Sequence, residues 1–362
     1  MPPRVLYQRL CQQLLLCVPA LGIWQRRRLA LLVTGLLLAR HAALPRVAAQ
    51  LRRVQHTAQA DSIERRLRRT LAETDFETPH VFEYLVRASL SHLRPGQYVL
   101  LLDDTQQSTR CTLSTLALDY GGRALPLAWC RWSGKLHGAY WQQIDALFDQ
   151  AARLLPAGVR PVVVADRGIA SPTLVGLIQK HGWDYLLRVN TNVTIRVADQ
   201  PRERLHLGQL LKAPGGPAVT LSGWVFRDTP VWAHALAIWR CGAPEPWLLV
   251  SNLDLGRRLA ELYARRMHVE ALFRDAKSGA FEWELSRVWR AERAQRLLLG
   301  IMLAIWCAVL LGEAAICAGA IPAYGRRTRS VSLVRRGLDW LLAPGHTRFF
   351  RWTLSPPKTV RI

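Results

Sequence analysis

The stretch at residues 263–277 reads Tyr-Ala-Arg-Arg-Met-His-Val-Glu-Ala-Leu-Phe-Arg-Asp-Ala-Lys. Steps of three, four and seven residues separate Tyr263, Arg266, Glu270 and Lys277. On an α-helix these steps return to nearly the same angle, so the four side chains are predicted to share one face. A carboxylate that can bind a metal, flanked by phosphate-binding groups, suits a helix lying along a nucleic-acid backbone. An exposed helix with a solvated charged face would show the same pattern.

Two further acidic sites each follow a short apolar run. The first run, Tyr98-Val-Leu-Leu-Leu-Asp-Asp-Thr105, contains Asp103 and Asp104. The second, Pro161-Val-Val-Val-Ala-Asp-Arg-Gly168, contains Asp166. Both runs are typical of buried strands that surface at their carboxyl ends, although a single acid there is often only a strand end or a helix cap. Two such aspartates and Glu270 offer three hard oxygen donors, which suit Mg²⁺ or Mn²⁺ rather than a soft-ligand metal.

At these residues the chain resembles a known family, the bacterial insertion-sequence DDE transposases whose third motif is Tyr-(2)-Arg-(3)-Glu-(6)-Lys. The resemblance runs from about Gln97 to about Leu311. It implies a ribonuclease H-like core, an α/β fold with a mixed sheet and flanking helices. It also implies a β-rich insertion before the catalytic glutamate helix.

The resemblance further implies a role for individual residues. Asp104, Asp166 and Glu270 would form the catalytic triad and bind two Mg²⁺ ions, with Mn²⁺ as a possible substitute. Asp104 is preferred because it directly precedes Thr105, and Asp103 is the alternative because a shift of one residue reverses which side chain faces the site. The residues implied to contact the DNA backbone are Tyr263, Arg266, Lys277 and the strand-end Arg188.

The order of predicted elements divides the chain into five parts. Residues 1–92 are helical and basic and form the expected DNA-binding region. The ribonuclease H-like core is expected at 93–190 and again at 257–320, the second part carrying the catalytic helix. The β-rich insertion is expected at 191–256, where Ala213-Pro-Gly-Gly-Pro217 marks a turn. A basic C-terminal segment follows at 321–362.

The charge of the chain favours a DNA partner. It has 49 Lys and Arg against 26 Asp and Glu, a formal net charge of +23. Neutralising phosphates releases counterions, and this supplies most non-specific affinity for DNA. Ribosomal or membrane-surface proteins can be equally basic. Seven dispersed cysteines indicate reduced thiols of a cytoplasmic protein, here expected on the nucleoid.

The most apolar stretch lies at residues 297–318 and approaches the length of a membrane span. A helix that is apolar all round can equally lie at the centre of a large core. We expect a core helix and no membrane association, because the stretch closely follows the glutamate helix. An integral membrane protein anchored at 297–318 is the alternative.

The resemblance, together with these patterns, implies a DNA transposase that is a polynucleotidyl transferase and endonuclease. It would cut one strand at each element end and transfer the freed 3′ hydroxyl into double-stranded target DNA, acting as a homodimer in the synaptic complex. The alternatives are a ribonuclease H-like nuclease without strand transfer and a catalytically decayed DNA-binding protein. The chain lacks a Gly-x-x-x-x-Gly-Lys-Ser/Thr loop and a nucleophile elbow, so neither ATP-driven chemistry nor acyl transfer is indicated.

Overall fold

The computed structural model describes residues 1–73, 78–107, 111–133, 138–198, 203–320 and 332–343. These residues form a mixed α/β structure in which ten strands make one sheet and helices pack against it. The predicted α/β class is therefore confirmed. Most of the predicted basic C-terminal segment lies outside the described residues, which include only 332–343 of it.

Five helices precede the sheet. They are α1 (Pro3–Cys17), α2 (Ile23–Ala39), α3 (Leu44–Leu51), α4 (Ala60–Ala72) and α5 (Thr78–Leu90). In α3 the buried residues Leu44, Val47, Ala48 and Leu51 recur at helical spacing. Gly35 of α2 lies close against Val47 and Leu51, so α2 and α3 pack tightly although they meet at a bend of 96°.

The centre of the sheet forms from the next part of the chain. Its elements are β1 (Gly96–Gln107), β2 (Cys111–Tyr120), β3 (Arg123–Ser133), α6 (Tyr140–Leu154), β4 (Val159–Ala165), α7 (Pro172–Lys180) and β5 (Asp184–Arg188). Strand β1 pairs antiparallel with β2 and parallel with β4, and β4 pairs parallel with β5. The carboxyl ends of β1 and β4 therefore meet at one edge, where ligands bind in open α/β sheets.

The insertion continues the same sheet. Its strands are β6 (Thr194–Val197), β7 (Arg204–His206), β8 (Val219–Val225), β9 (Val231–Ile238) and β10 (Trp247–Ser251). The full order is β3-β2-β1-β4-β5-β10-β9-β8-β6-β7, with β10 antiparallel to β5. The β-rich stretch is thus a lateral extension of the central sheet.

The structure breaks the helix predicted over residues 263–277. Helix α8 (Arg258–Ala264) ends before Arg265, α9 (Met267–Arg274) begins after Arg266, and a π-helical turn follows at Asp275–Gly279. At the break, the backbone N–H groups of Arg265 and Arg266 donate to carbonyls three residues earlier. The chain therefore tightens into a 3₁₀-type turn at Arg266.

A long apolar helix, α10 (Ala291–Cys317), packs against α2, α4, α11 (Leu333–Leu342) and β3. It is long and apolar enough to cross a membrane, and 89% of its most apolar 18-residue stretch is buried inside the protein. Helices α2 and α3, if the bent pair is taken as one span, are also long and apolar enough to cross a membrane. The predicted core position of 297–318 agrees with this burial.

Candidate active site

The register between β1 and β4 brings two aspartates together. Leu102 of β1 is the partner of Ala165 of β4. The next residues along these parallel strands are Asp103 and Asp166. Because side chains alternate between the two faces of a sheet, Asp103 and Asp166 lie on the same face.

Arg266 joins this pair of aspartates to Glu270. Its Nη1 lies 2.9 Å from Oδ2 of Asp103, and its Nη2 lies 2.5 Å from Oε1 of Glu270 and 3.8 Å from Oδ2 of Asp166. The Arg266 side chain is only 12% exposed. One guanidinium therefore gathers three carboxylates into one cluster, which we call the acidic triad: Asp103, Asp166 and Glu270.

Asp104 lies outside the acidic triad. It is the register partner of Ser114 on β2, and its Oδ2 accepts a hydrogen bond of 2.9 Å from the Tyr140 hydroxyl at the start of α6. Helix α6 packs on β2 and β3. The structure thus places Asp103, the alternative in the sequence prediction, where Asp104 was expected. The reason is the alternation of side chains along β1.

Asp166 is held by the groups around it. Its Oδ1 accepts hydrogen bonds of 2.9 Å from the Tyr263 hydroxyl and 2.8 Å from the backbone N–H of Arg167, and Nη1 of Arg188 lies 3.8 Å away. Tyr263 and Arg188 are buried, although both were predicted to contact DNA. In this arrangement they orient Asp166 and its partners.

Lys277 reaches the same edge of the sheet from the π-helical turn. Its Nζ donates to the backbone carbonyl of Gln106 on β1 and lies 3.7 Å from Oε1 of Glu284. Gln106 stands three residues beyond Asp103. All four motif residues therefore face the strand ends, although the helix that carries them is broken.

Burial changes the acidity of two groups at this site, Asp103 and Tyr263. Burial raises the pKa of Asp103 to about 6, and the nearby charges of Asp166 and Asp104 add to this rise, whereas Arg266 and the backbone N–H of Asp104 oppose it. Burial is also the main cause that raises the pKa of the Tyr263 hydroxyl. The Tyr263 hydroxyl therefore keeps its proton near pH 7 and donates a hydrogen bond to Asp166.

The donor set of the acidic triad fits a divalent metal ion. Its carboxylate oxygens are hard ligands of the kind that Mg²⁺ and Mn²⁺ take. A second group of possible ligands, Asp145, Asp149 and His181, lies elsewhere, with one atom of each within 4.8 Å of the others. There Asp145 is already bound by Nζ of Lys180 at 2.7 Å. The oxygens of the acidic triad are not grouped this closely, and the Arg266 guanidinium lies between them.

Two side chains that contact predicted site residues were not themselves predicted. Glu245 accepts from Nη2 of Arg188 at 2.5 Å and from Nη1 of Arg167 at 2.6 Å, and so links the two arginines that flank Asp166. Tyr140 binds Asp104. Glu245 lies in the loop Ala243-Pro-Glu-Pro246, which has no periodicity, and its position depends entirely on how the insertion folds back.

Comparisons with known proteins bear on these residues. Residues 139–307 match the family described as "Transposase DDE domain". The match includes Asp166 and Glu270 and begins after Asp103. No curated protein matches the chain significantly.

Among solved structures, one is described as "Cryo-EM structure of piggyBac transposase synaptic complex with hairpin DNA (SNHP)". The similarity has a TM-score of 0.46 at 11% sequence identity and covers 95% of this chain and 82% of that chain.

The match to the transposase DDE domain spans β4, the insertion, α9 and part of α10. It contains the segment that carries two of the three clustered carboxylates and the arginine between them. This similarity supports a DDE transposase.

Proposed function

We propose that this chain is a DDE transposase of the Tyr-(2)-Arg-(3)-Glu-(6)-Lys group. It would cut DNA at the ends of a bacterial insertion element and transfer the 3′ hydroxyl into target DNA. The observation that carries the proposal is the convergence of Asp103, Asp166 and Glu270 on Arg266. The strand order β3-β2-β1-β4-β5 around them supports a ribonuclease H-like core.

Each residue has a task in this proposal. Asp103, Asp166 and Glu270 would hold two Mg²⁺ or Mn²⁺ ions. When bound, such ions activate the attacking oxygen and stabilise the leaving oxygen. Tyr263 and Arg188 fix the orientation of Asp166, and Arg266 balances the negative charge of the three acids. Positioning of this kind supplies most of the catalysis in phosphoryl transfer.

A cation of the site can contact DNA only if it exchanges its present partner for a phosphate. Lys277 sits at the rim of the site, where its ammonium can move to a phosphate. Arg266 can also move to a phosphate once the three carboxylates of the acidic triad are neutralised by bound metal ions. We propose double-stranded DNA as the partner and a homodimer as the synaptic assembly. We place the protein in the cytoplasm, on the nucleoid.

The test uses the purified full chain, Mg²⁺, and a supercoiled plasmid carrying the gene with its flanking DNA. Asp103→Asn, Asp166→Asn and Glu270→Gln should each abolish nicking and leave DNA binding largely unchanged, because basic groups set the affinity. Asp104→Asn is the matched control. It changes the adjacent carboxylate on the opposite face and should keep nicking.

The products distinguish the alternatives. Covalent joining of the nicked 3′ ends to a second, labelled plasmid is expected of a transposase. Nicking without joined products would indicate a nuclease instead. If all three triad variants cut DNA normally, the assignment is wrong. If Asp104→Asn is inactive and Asp103→Asn is active, the roles of the two aspartates are reversed.

A further inference from the structure

Four side chains form a row across the outer part of the sheet. Arg204 of β7 is the register partner of Arg196 on β6, Arg196 is the partner of Trp224 on β8, and Trp224 is the partner of Trp232 on β9. Directly opposed residues project to the same face. The row therefore presents two guanidinium groups and then two indole rings along about 14 Å, the width of three strand spacings.

This row faces solvent, whereas the opposite face of the same strands is buried. Trp224 and Trp232 are each 42% exposed, and their rings meet edge to face with centroids 5.6 Å apart. Ile195, Val225 and Ala233, which alternate with the residues of the row, are at most 1% exposed. The core of the sheet therefore does not need these two indoles.

The arginines of the row are available to an anion. Within the described part of the chain, neither Arg196 nor Arg204 forms an ion pair with a carboxylate. The chain as a whole carries a net charge of +23. Two exposed indoles lie beside two cations that have no carboxylate partner among the described residues. Such a surface is complementary to a chain of phosphates that also carries aromatic rings.

We propose that this row binds single-stranded DNA, with unpaired bases stacking on Trp224 and Trp232 and phosphates contacting Arg196 and Arg204. In a duplex each base face is covered by its neighbours, so only unpaired bases can stack on an indole. Three strand spacings separate β9 from β4, so the row begins about 14 Å from the strand that carries Asp166. The choice of DNA over RNA rests on the proposed function.

The test measures fluorescence anisotropy of a labelled oligothymidine with the full chain, without divalent ions, over a range of KCl concentrations. Trp224→Ala and Trp232→Ala should each weaken binding about tenfold and leave the salt dependence unchanged, because stacking involves no counterion release. Arg196→Ala should reduce the slope of log affinity against log salt by about 0.7. Trp224→Phe should retain most of the binding.

Trp289→Ala is the matched control. Trp289 is 36% exposed and lies just before α10, outside the row. Its removal should leave oligothymidine binding unchanged. Equal losses in the Trp289, Trp224 and Trp232 variants would overturn the proposal, because any exposed tryptophan would then suffice.

Three other results would overturn it. The first is wild-type affinity in both Trp224→Ala and Trp232→Ala at an unchanged thermal midpoint. The second is an equal loss of affinity for a blunt duplex. The third is a difference in sedimentation between the DNA-free wild type and the DNA-free Trp224→Ala or Trp232→Ala variant, which would show that a second copy covers the row. Because these measurements need no cleavage, the row and the transposase activity can fail separately.

Discussion

Arg266 places one guanidinium against the carboxyl oxygens of three acidic residues. A divalent cation bound by the same oxygens competes with it for charge and for lone pairs. Arg266→Ala should therefore bind Mn²⁺ more tightly than wild type when DNA is absent, by about tenfold, or ~1.4 kcal/mol. Isothermal titration calorimetry at neutral pH measures this affinity directly.

Arg265→Ala is the control for Arg266→Ala. The Arg265 guanidinium lies 3.1 Å from Oδ2 of Asp119 and makes no contact with the acidic triad. The Arg265→Ala variant should bind Mn²⁺ as tightly as the wild type. Its affinity for DNA then reports the effect of removing one nearby positive charge. Equal or weaker Mn²⁺ binding by Arg266→Ala would show that the arginine holds the carboxylates in place rather than competing for them.

The same residues show what the sequence can and cannot predict about the site. The spacing of Tyr263, Arg266, Glu270 and Lys277 predicts that they act together, and the structure brings all four to one edge of the sheet. Choosing between Asp103 and Asp104 needs the register of β1 against β4. Neighbouring residues on a strand face opposite ways, and register depends on pairing between distant segments, which one local sequence does not encode.

Elements are predicted well where local signals are strong. Ser171-Pro172 predicts the start of α7, and in the structure the Ser171 hydroxyl accepts from the backbone N–H of Leu174. The break between α8 and α9 has no such signal, since residues 258–278 contain neither Gly nor Pro. At the break the guanidinium of Arg266 bonds to Glu270 on the next helix and to Asp103 on the distant strand β1. A tertiary contact therefore accompanies the departure from a straight helix.

Helix α11 crosses α10 at a position that only glycine fits. A Cβ atom added at Gly337 would lie 1.8 Å from the backbone carbonyl oxygen of Ala308 on α10. Gly337→Ala should therefore push the two helices apart and destabilise the protein by about 1–3 kcal/mol. The measurement is the shift of the thermal midpoint by circular dichroism.

Gly176→Ala on α7 is the matched change for Gly337→Ala. No described heavy atom lies within 4 Å of a Cβ added there. Alanine should stabilise this exposed helix position by about 0.5–1 kcal/mol, because glycine loses more backbone freedom on folding. If both variants shift the midpoint equally, the close crossing of α10 and α11 does not determine stability.

At the scale of the whole molecule, composition predicts a basic protein with a large core, and the alternation of elements predicts an α/β sheet. It does not predict that the insertion would extend that sheet to ten strands. The joint is the antiparallel pairing of β10 with β5, between segments about 60 residues apart. Strand pairing at such separation depends on the closure of the intervening chain, and β7, with only three residues, gives no periodic signal.

The burial of α10 leads to a prediction about the whole chain. A membrane span must expose its apolar surface to lipid, but here α2, α4, α11 and β3 cover α10. Lysed cells should therefore release the untagged protein into the soluble fraction after a wash with high salt, which removes electrostatic attachment to lipid or nucleic acid. The purified protein should then sediment as one species without detergent. Retention in the washed membrane fraction, with release only by detergent, would show that α10 leaves the core to enter the bilayer.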